Sequence, residues 1–230
     1  MGGSNFISGR FHGRREGEPN SELPEPINWY YYPSVRIGTT KTLNWVSRST
    51  MYWLEKYVNG LIVQFNRLLG DWVATWEAQK GDLMKDAERA KAFHQWSERQ
   101  SLDIHFYLIC WDKVDKFFRR LARSERAKDC VQEVWNELRP VTEKASLARN
   151  FFEHLDETIS EENFGQSGHT MSSKGDFAFQ YIDVSKKGER FERRVVLGRA
   201  QVESVLLAYE KVLVCLGADI SEGYRSSRGH

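Results

Sequence analysis

The sequence predicts a mainly α-helical protein, a bundle of four or five helices with a small β-hairpin inserted before the last helix. Three observations lead to this fold class. Apolar residues recur at steps of three and four over most of the chain, which is the spacing of helices with one buried face. Residues 176–197 alternate instead between apolar and polar, which is the period of strands. The chain of 230 residues, 40% of them hydrophobic, can bury the core of one domain.

The chain divides into an arm, a helical domain and a tail. Residues 1–40 contain ten Gly and Pro residues and no sustained period, so we expect an irregular N-terminal arm. The aromatic run at residues 29–33 (WYYYP) fits an anchor against the helices or a platform for base stacking. We prefer the anchor, because no Arg or Lys flanks the run closely. Residues 41–217 form the helical domain, and residues 218–230 a flexible tail.

Two long helices open the helical domain. The Gly81-Asp82 pair between them predicts a stop and a new N-cap, so the two helices form an antiparallel hairpin. Gln100-Ser101 is a candidate break in the second helix. The apolar stripes comprise Met51, Leu54, Val58, Leu61, Phe65, Leu68 and Trp72 in the first helix, and Tyr107, Cys110, Val114, Phe117 and Leu121 in the second.

A third helical region begins near Ser124 and ends at residues 163–165 (NFG). Pro140 either begins a new helix in its first turn or kinks a continuous one. The apolar positions of this region are Val131, Val134, Trp135, Leu138, Leu147, Phe151, Leu155 and Ile159. Alternating residues on both sides of the turn at residues 185–188 (SKKG) then predict the β-hairpin, and the last helix runs from about Arg199 to Leu216 with Gly217 as its C-cap.

Composition and spacing exclude several classes of protein. The net charge of +1 excludes a polyanion binder with a uniformly basic surface, so any basic surface is local. Cys110, Cys130 and Cys215 are odd in number and far apart, which predicts three reduced thiols rather than a disulfide framework or a thiolate zinc site. The histidines lack metal-site spacing, so we expect no metal and no cofactor. No apolar run approaches the ~20 residues that cross a bilayer, and no signal peptide precedes the domain, which predicts a cytoplasmic protein without a membrane partner.

Residues 149–154 (RNFFEH) carry the best candidate for chemistry. Residues four apart on a helix lie about 40° apart around its axis, so Asn150 and His154 share a face. Arg149 lies further round, but its long side chain reaches the same side. The predicted apolar stripe leaves these polar groups at its flank, which places them at the edge of a helix interface.

This arrangement in a late helix of an all-helical domain resembles the motif of the HEPN superfamily, an Arg with a polar residue after it and a His four to six positions on. The resemblance covers about residues 45–217, although the β-hairpin is not part of the family's minimal core. It implies metal-independent cleavage of RNA by a homodimer whose two motif helices pool their Arg and His residues in one cleft. It also implies a toxin–antitoxin or antiphage setting, with a cognate antitoxin protein as a further partner.

The three residues suit this chemistry, because RNA supplies its own nucleophile in the 2′-hydroxyl. Histidine, with an unperturbed pKa of about 6.5, serves as acid or base at neutral pH, so His154 is the candidate for proton transfer. Arg149 is the candidate for binding the scissile phosphate and stabilising its developing charge. Asn150 is the candidate for holding His154, the backbone or a ribose hydroxyl. The expected product is a 2′,3′-cyclic phosphate.

Charge along the chain is unevenly distributed around this motif. Residues 141–162 have two basic and six acidic residues, a net charge of −4, whereas residues 174–199 have seven basic and four acidic residues, a net charge of +3. Candidate contacts to the substrate in the hairpin are Lys187, Arg190, Arg193 and Arg194. A second basic cluster lies at residues 119–128. A solvated charged face is the alternative explanation for each.

Two other interpretations of the motif are open. Arg149 and Glu153 are four residues apart and suit a surface ion pair, and His154 suits a packing residue at a helix crossing. The chain is then a non-catalytic HEPN-like interaction module that binds a partner protein or a nucleotide, or an unrelated helical scaffold.

Overall fold

Four helices dominate the part of the chain that the computed structural model describes, which comprises residues 26–27, 29–31, 45–79, 87–123, 128–153, 168–171, 177–184, 190–216 and 225–227. The helices are α1 (Trp45–Gln79), α2 (Ala87–Leu121), α3 (Lys128–Glu153) and α4 (Arg199–Cys215). The strands are β1 (Trp29–Tyr31), β2 (Gly168–Met171), β3 (Phe177–Val184), β4 (Arg190–Val196) and β5 (Arg225–Ser227). The predicted fold class, mainly helical with a hairpin before the last helix, is confirmed.

The hairpin of β3 and β4 belongs to a three-stranded antiparallel sheet. Its register runs from Ala178 opposite Val196 to Val184 opposite Arg190. On the other edge of β3, the strand β2 pairs Gly168 with Gln180. The sequence analysis missed β2, because its four residues (GHTM) show no alternation of apolar and polar positions. Phe177 and Phe179 of β3 are fully buried and fix the sheet against the helices.

Helices α1 and α2 pack antiparallel along their length. Tyr57 stacks on Phe117 near one end, and Arg67 forms an ion pair with Asp103 towards the other. Between these points, Gly60 allows the closest approach: a Cβ atom there would lie 2.9 Å from the sulfur of Cys110. A larger residue at position 60 therefore requires the Cys110 side chain or one of the helices to shift.

The predicted stripes of α1 and α2 form the centre of the core. Six of the seven stripe residues of α1 are fully buried, while the side chain of the seventh, Trp72, lies outside the described residues. In α2 the stripe residues are buried except Phe117, which is half-buried. The candidate break near Gln100 is wrong, because α2 continues without interruption from Ala87 to Leu121. The predicted turn at Gly81-Asp82 falls among residues outside the described part.

Helix α3 continues through Pro140, so the alternative of a continuous helix is the correct one. Its second half packs differently from the predicted stripe. Leu147 is 57% exposed, whereas Thr142, Ala145 and Ala148 are fully buried. The prediction followed the bulky residues, but small residues at the same helical period bring α3 close to its neighbours. The positions predicted beyond Glu153, among them Leu155 and the helix end at residues 163–165, lie outside the described residues.

Short pieces of the N-terminal arm and of the tail are ordered against each other and the bundle. Strand β1 pairs antiparallel with β5, an arrangement that no sequence pattern had indicated. Ile27 is buried in the core, and Asn66 of α1 accepts a hydrogen bond from its backbone nitrogen and donates one to its carbonyl oxygen, both 2.8 Å long. Ile27 therefore anchors the arm; the side chains of the aromatic run at residues 29–33 lie outside the described part.

Two of the three cysteines form a disulfide, so the prediction of three reduced thiols is wrong. Cys130, at the start of α3, is bonded to Cys215, at the end of α4, with a Cα–Cα distance of 5.8 Å. The two are 85 residues apart in sequence, and only the packing of α3 against α4 brings them together. Cys110 is free and buried, and burial raises the pKa of its thiol to about 12.

The disulfide is expected to stabilise the fold by about 2–4 kcal/mol, because it closes a long loop in the unfolded chain. We therefore expect Cys130→Ala to lower the free energy of unfolding by that amount, measured by urea denaturation without reductant. The control is the double variant Cys130→Ala/Cys215→Ala, whose midpoint should not respond to dithiothreitol. Alkylation of the non-reduced, denatured wild-type chain should modify Cys110 alone; three alkylated cysteines would contradict the disulfide.

Candidate active site on helix α3

Arg149 lies in the last turns of α3, at the edge of the interface with α2. Its guanidinium forms an ion pair with the carboxylate of Glu153 on the same helix. Its Nη1 atom lies 3.6 Å from an Asp112 carboxylate oxygen on α2 and donates a 3.3 Å hydrogen bond to the side-chain oxygen of Asn150. The Arg149 side chain is 22% exposed. The guanidinium is thus held between the surface and the helix interface, as the predicted flank position required.

The structure brings two of the three motif residues together. Asn150 is exposed and lies beside the guanidinium of Arg149. His154 follows directly after Glu153, the last described residue of α3, and lies outside the described part of the chain. The geometry therefore bears on the binding of an anion by Arg149 and Asn150, while the role of His154 in proton transfer stays a prediction.

Asp112 links the motif to the surface of α2. This carboxylate is buried, and its second oxygen lies 2.8 Å from the ammonium of Lys116, one turn further along α2. A single buried carboxylate thus contacts two cations, Arg149 and Lys116. The other partner of Arg149, Glu153, is more exposed than Asp112, with 28% of its side chain accessible against 6%.

A second buried carboxylate, Asp115, fixes α3 on α2 one turn away. It accepts hydrogen bonds from Thr142 Oγ1 at 2.7 Å, from Trp135 Nε1 at 3.1 Å and from Arg119 at 2.7 Å. Trp135 lies between two guanidinium groups, those of Arg119 and Arg139, each 5.5 Å from its ring. This polar network sets the position of α3, and with it the distance between Arg149 and Asp112.

The three-stranded sheet, which carries the hairpin cations, packs against helix α3. Phe152 meets Phe179 of β3 edge to face at 5.8 Å between ring centroids. On the neighbouring strand β4, Arg193 and Arg194 are exposed, and the guanidinium of Arg193 lies 5.5 Å from the ring of Phe191. Of the other predicted substrate contacts, Lys187 and the side chain of Arg190 lie outside the described part.

A shallow cleft that no sequence pattern had indicated lies between α1 and α2, near the middle of both helices. Arg67 and Asp103 form a 3.0 Å ion pair within it, and the pKa of nearby Asp71 is raised by burial and by the charge of Asp103. The cleft is lined by Gln64, Arg67, Arg99, Leu102, Asp103 and Phe106. Its residues come from both helices, so only their pairing assembles it; the signal in the sequence was a pair of apolar residues, Leu102 and Phe106, off the buried stripe.

No protein family, curated protein or solved structure matches the chain. No helix in the described part of the chain is long and apolar enough to cross a bilayer. Within the same residues, no three His, Cys, Asp or Glu side chains are grouped so that they could hold a metal ion. The function proposed below therefore rests on the geometry around Arg149.

Proposed function

We propose that the chain is a HEPN-type endoribonuclease that cleaves RNA without a metal ion. The observation that carries the proposal is the pairing of Arg149 with Asn150 at the partly exposed end of α3, where a guanidinium and an amide face the same space. In this proposal two copies of the chain form the active enzyme, and a toxin–antitoxin or antiphage system in the cytoplasm is its setting, with an antitoxin protein as partner.

The reaction needs only groups that the motif supplies. The 2′-oxygen of the ribose attacks the adjacent phosphorus, its proton passes to His154 of one copy, and the bond from phosphorus to the 5′-oxygen breaks. A second imidazole, that of the other copy, returns a proton to the 5′-oxygen. The products are a 2′,3′-cyclic phosphate and a free 5′-hydroxyl. Arg149 binds the non-bridging oxygens, whose charge grows in the transition state.

Glu153 is the group that the substrate must displace in this mechanism. Its carboxylate pairs with Arg149 in the free protein, and a phosphodiester carries the same charge and a similar pair of oxygens. Exchange of one anion for the other keeps the guanidinium paired throughout, which limits the cost of binding. In this mechanism the Asn150 amide donates a hydrogen bond to the phosphate or to a ribose hydroxyl, because its oxygen already accepts from Arg149.

A non-catalytic interaction module is the second candidate, and one observation favours it. Arg149 contacts two carboxylates, Glu153 and Asp112, so its charge is balanced within the chain. An arginine in this position stabilises the interface of α2 and α3 without a substrate. In that case the surface around the motif binds a partner protein or a nucleotide, and the motif residues have no part in bond cleavage.

Cleavage of total RNA in the presence of EDTA separates the two candidates. We expect wild-type protein to produce fragments with 2′,3′-cyclic phosphate ends, detected by mass spectrometry, and His154→Ala to cut at least about a hundredfold more slowly, the usual size of a general acid–base contribution. The matched control is Lys144→Ala, which removes an exposed cation of the same helix outside the network around Asp115. Absence of cleavage at micromolar protein would favour the interaction module, and equal cleavage by His154→Ala would contradict the proposed chemistry.

A further inference from the structure

Four aromatic rings form a continuous row across the outer face of α1 and α2. The ring centroids are separated by 5.5 Å between Tyr52 and Trp53, by 6.4 Å between Trp53 and Tyr57, and by 5.7 Å between Tyr57 and Phe117. We call these four residues the aromatic row. Tyr52 is 44% and Trp53 48% exposed, so the row opens to solvent on the side of α1. Contiguous exposed apolar surface, unlike single exposed side chains, marks interaction sites.

The surface around the aromatic row is positively charged. The flanking segments, residues 45–59 and 109–123, contain three acidic residues, Glu55, Asp112 and Asp115, and all three are buried. Their seven basic residues are Arg48, Lys56, Lys113, Lys116, Arg119, Arg120 and Arg123, and all except the half-buried Lys113 are exposed. The ammonium of Lys56 lies 5.4 Å from the centre of the Tyr52 ring. In a chain of net charge +1, this face is a local basic patch.

The combination of rings and cations selects the class of ligand. Protein–protein interfaces are depleted of lysine at their centre, whereas here Lys56 lies directly on the ring of Tyr52. Surfaces that bind single-stranded nucleic acid have both features, because bases stack on aromatic side chains and phosphates follow the cations. The bases of a duplex are already stacked on one another, so the rings favour an unpaired strand.

The basic patch is continuous with the candidate active site. Lys116, at the edge of the patch, contacts one oxygen of Asp112, and Arg149 of α3 lies near the other oxygen. The patch and the motif are therefore separated by a single carboxylate.

We propose that the aromatic row and its surrounding cations bind single-stranded RNA and guide it to Arg149. Bases stack on Tyr52 and Trp53, while Lys56, Lys116 and Arg120 contact the phosphates. The choice of RNA over DNA rests on the proposed function, whereas binding itself does not require cleavage. The protein thereby discriminates unpaired from paired substrate before any bond is broken.

Fluorescence anisotropy with a labelled, unstructured RNA of about 12 nucleotides, within the usual site size, tests the proposal on full-length Arg149→Ala protein. Trp53→Ala should weaken binding about tenfold, and Trp53→Phe, which keeps a ring, should restore most of the affinity. The matched control is Phe106→Ala: Phe106 is 51% exposed on the same helix pair but lies outside the row, so affinity should not change.

The salt dependence separates stacking from charge. Arg120→Gln should reduce the slope of log affinity against log salt by about 1, whereas Trp53→Ala should leave that slope unchanged.

Equal affinity for a duplex of the same length, or unchanged binding by Trp53→Ala, would overturn the proposal. So would a dimer in sedimentation that Trp53→Ala dissociates while RNA still binds, because the row would then be an interface between copies. Binding without cleavage by the wild type would contradict only the proposed nuclease, and DNA bound as tightly as RNA would overturn the choice of RNA.

Discussion

Replacement of Arg149 by alanine is expected to reduce RNA cleavage by about 10²–10³-fold. The reason is that the guanidinium is the one described cation placed beside Asn150 and able to bind two oxygens of the scissile phosphate, and the loss of such a group removes transition-state stabilisation of that size. Arg149→Lys should recover a small part of the rate, since an ammonium keeps the charge but not the paired hydrogen bonds. The measurement is the initial rate of cleavage of a labelled RNA in EDTA.

The substitution Glu153→Gln should change the rate of RNA cleavage in the opposite direction from Arg149→Ala. Because Glu153 competes with the phosphate for Arg149, removal of its charge should raise the affinity for RNA and increase cleavage at subsaturating substrate severalfold. An arginine that serves only to pair with Glu153 and Asp112 behaves differently: both variants would leave the rate of cleavage unchanged. Equal rates for wild type, Arg149→Ala and Glu153→Gln would therefore contradict a catalytic role.

The sequence was sufficient where the apolar pattern was long and regular. Seven stripe residues of α1 were predicted, and the six whose side chains the structure describes are buried. The alternation around Phe177 and Phe179 correctly predicted the hairpin. Arg149 lies at the flank of an interface as predicted, although the short stripe through Leu147 used for that prediction is not the buried face of α3. In α1, by contrast, seven apolar residues follow one stripe. Periodicity within one helix fixes which side of it faces the core, and no information from elsewhere in the chain is needed for that step.

The features that the sequence did not reveal all depend on contacts between distant segments. The disulfide between Cys130 and Cys215 requires the start of α3 to lie beside the end of α4. The aromatic row requires Tyr57 of α1 to contact Phe117 of α2. The sequence signal for the row is Trp53, which lies off the stripe of α1 and is 48% exposed. Leu147 is the opposite case: this bulky residue was predicted to be buried but is exposed, and Ala145 and Ala148 lie in the interface instead.

The largest loss of stability is expected for Asp115→Ala, at about 3–5 kcal/mol. The Asp115 carboxylate is buried, and its removal leaves the indole nitrogen of Trp135 and the hydroxyl of Thr142 without their charged acceptor, at a cost of about 1–3 kcal/mol each. It also removes the partner of Arg119, whose side chain is 45% exposed and adds little. Asp115→Asn should lose less, since its amide oxygen still accepts one of these hydrogen bonds.

Urea denaturation followed by circular dichroism measures this loss, with Glu143→Ala as the matched control. Glu143 is also an acidic residue in an i,i+4 pair with an arginine, but its side chain is 49% exposed, so its removal should cost less than about 1 kcal/mol. If Asp115→Ala and Glu143→Ala unfold at the same urea concentration, the buried network does not hold α3 on α2. The position of Arg149 beside Asp112 would then depend on the apolar contacts of α3, among them those of Ala145 and Ala148, rather than on hydrogen bonds.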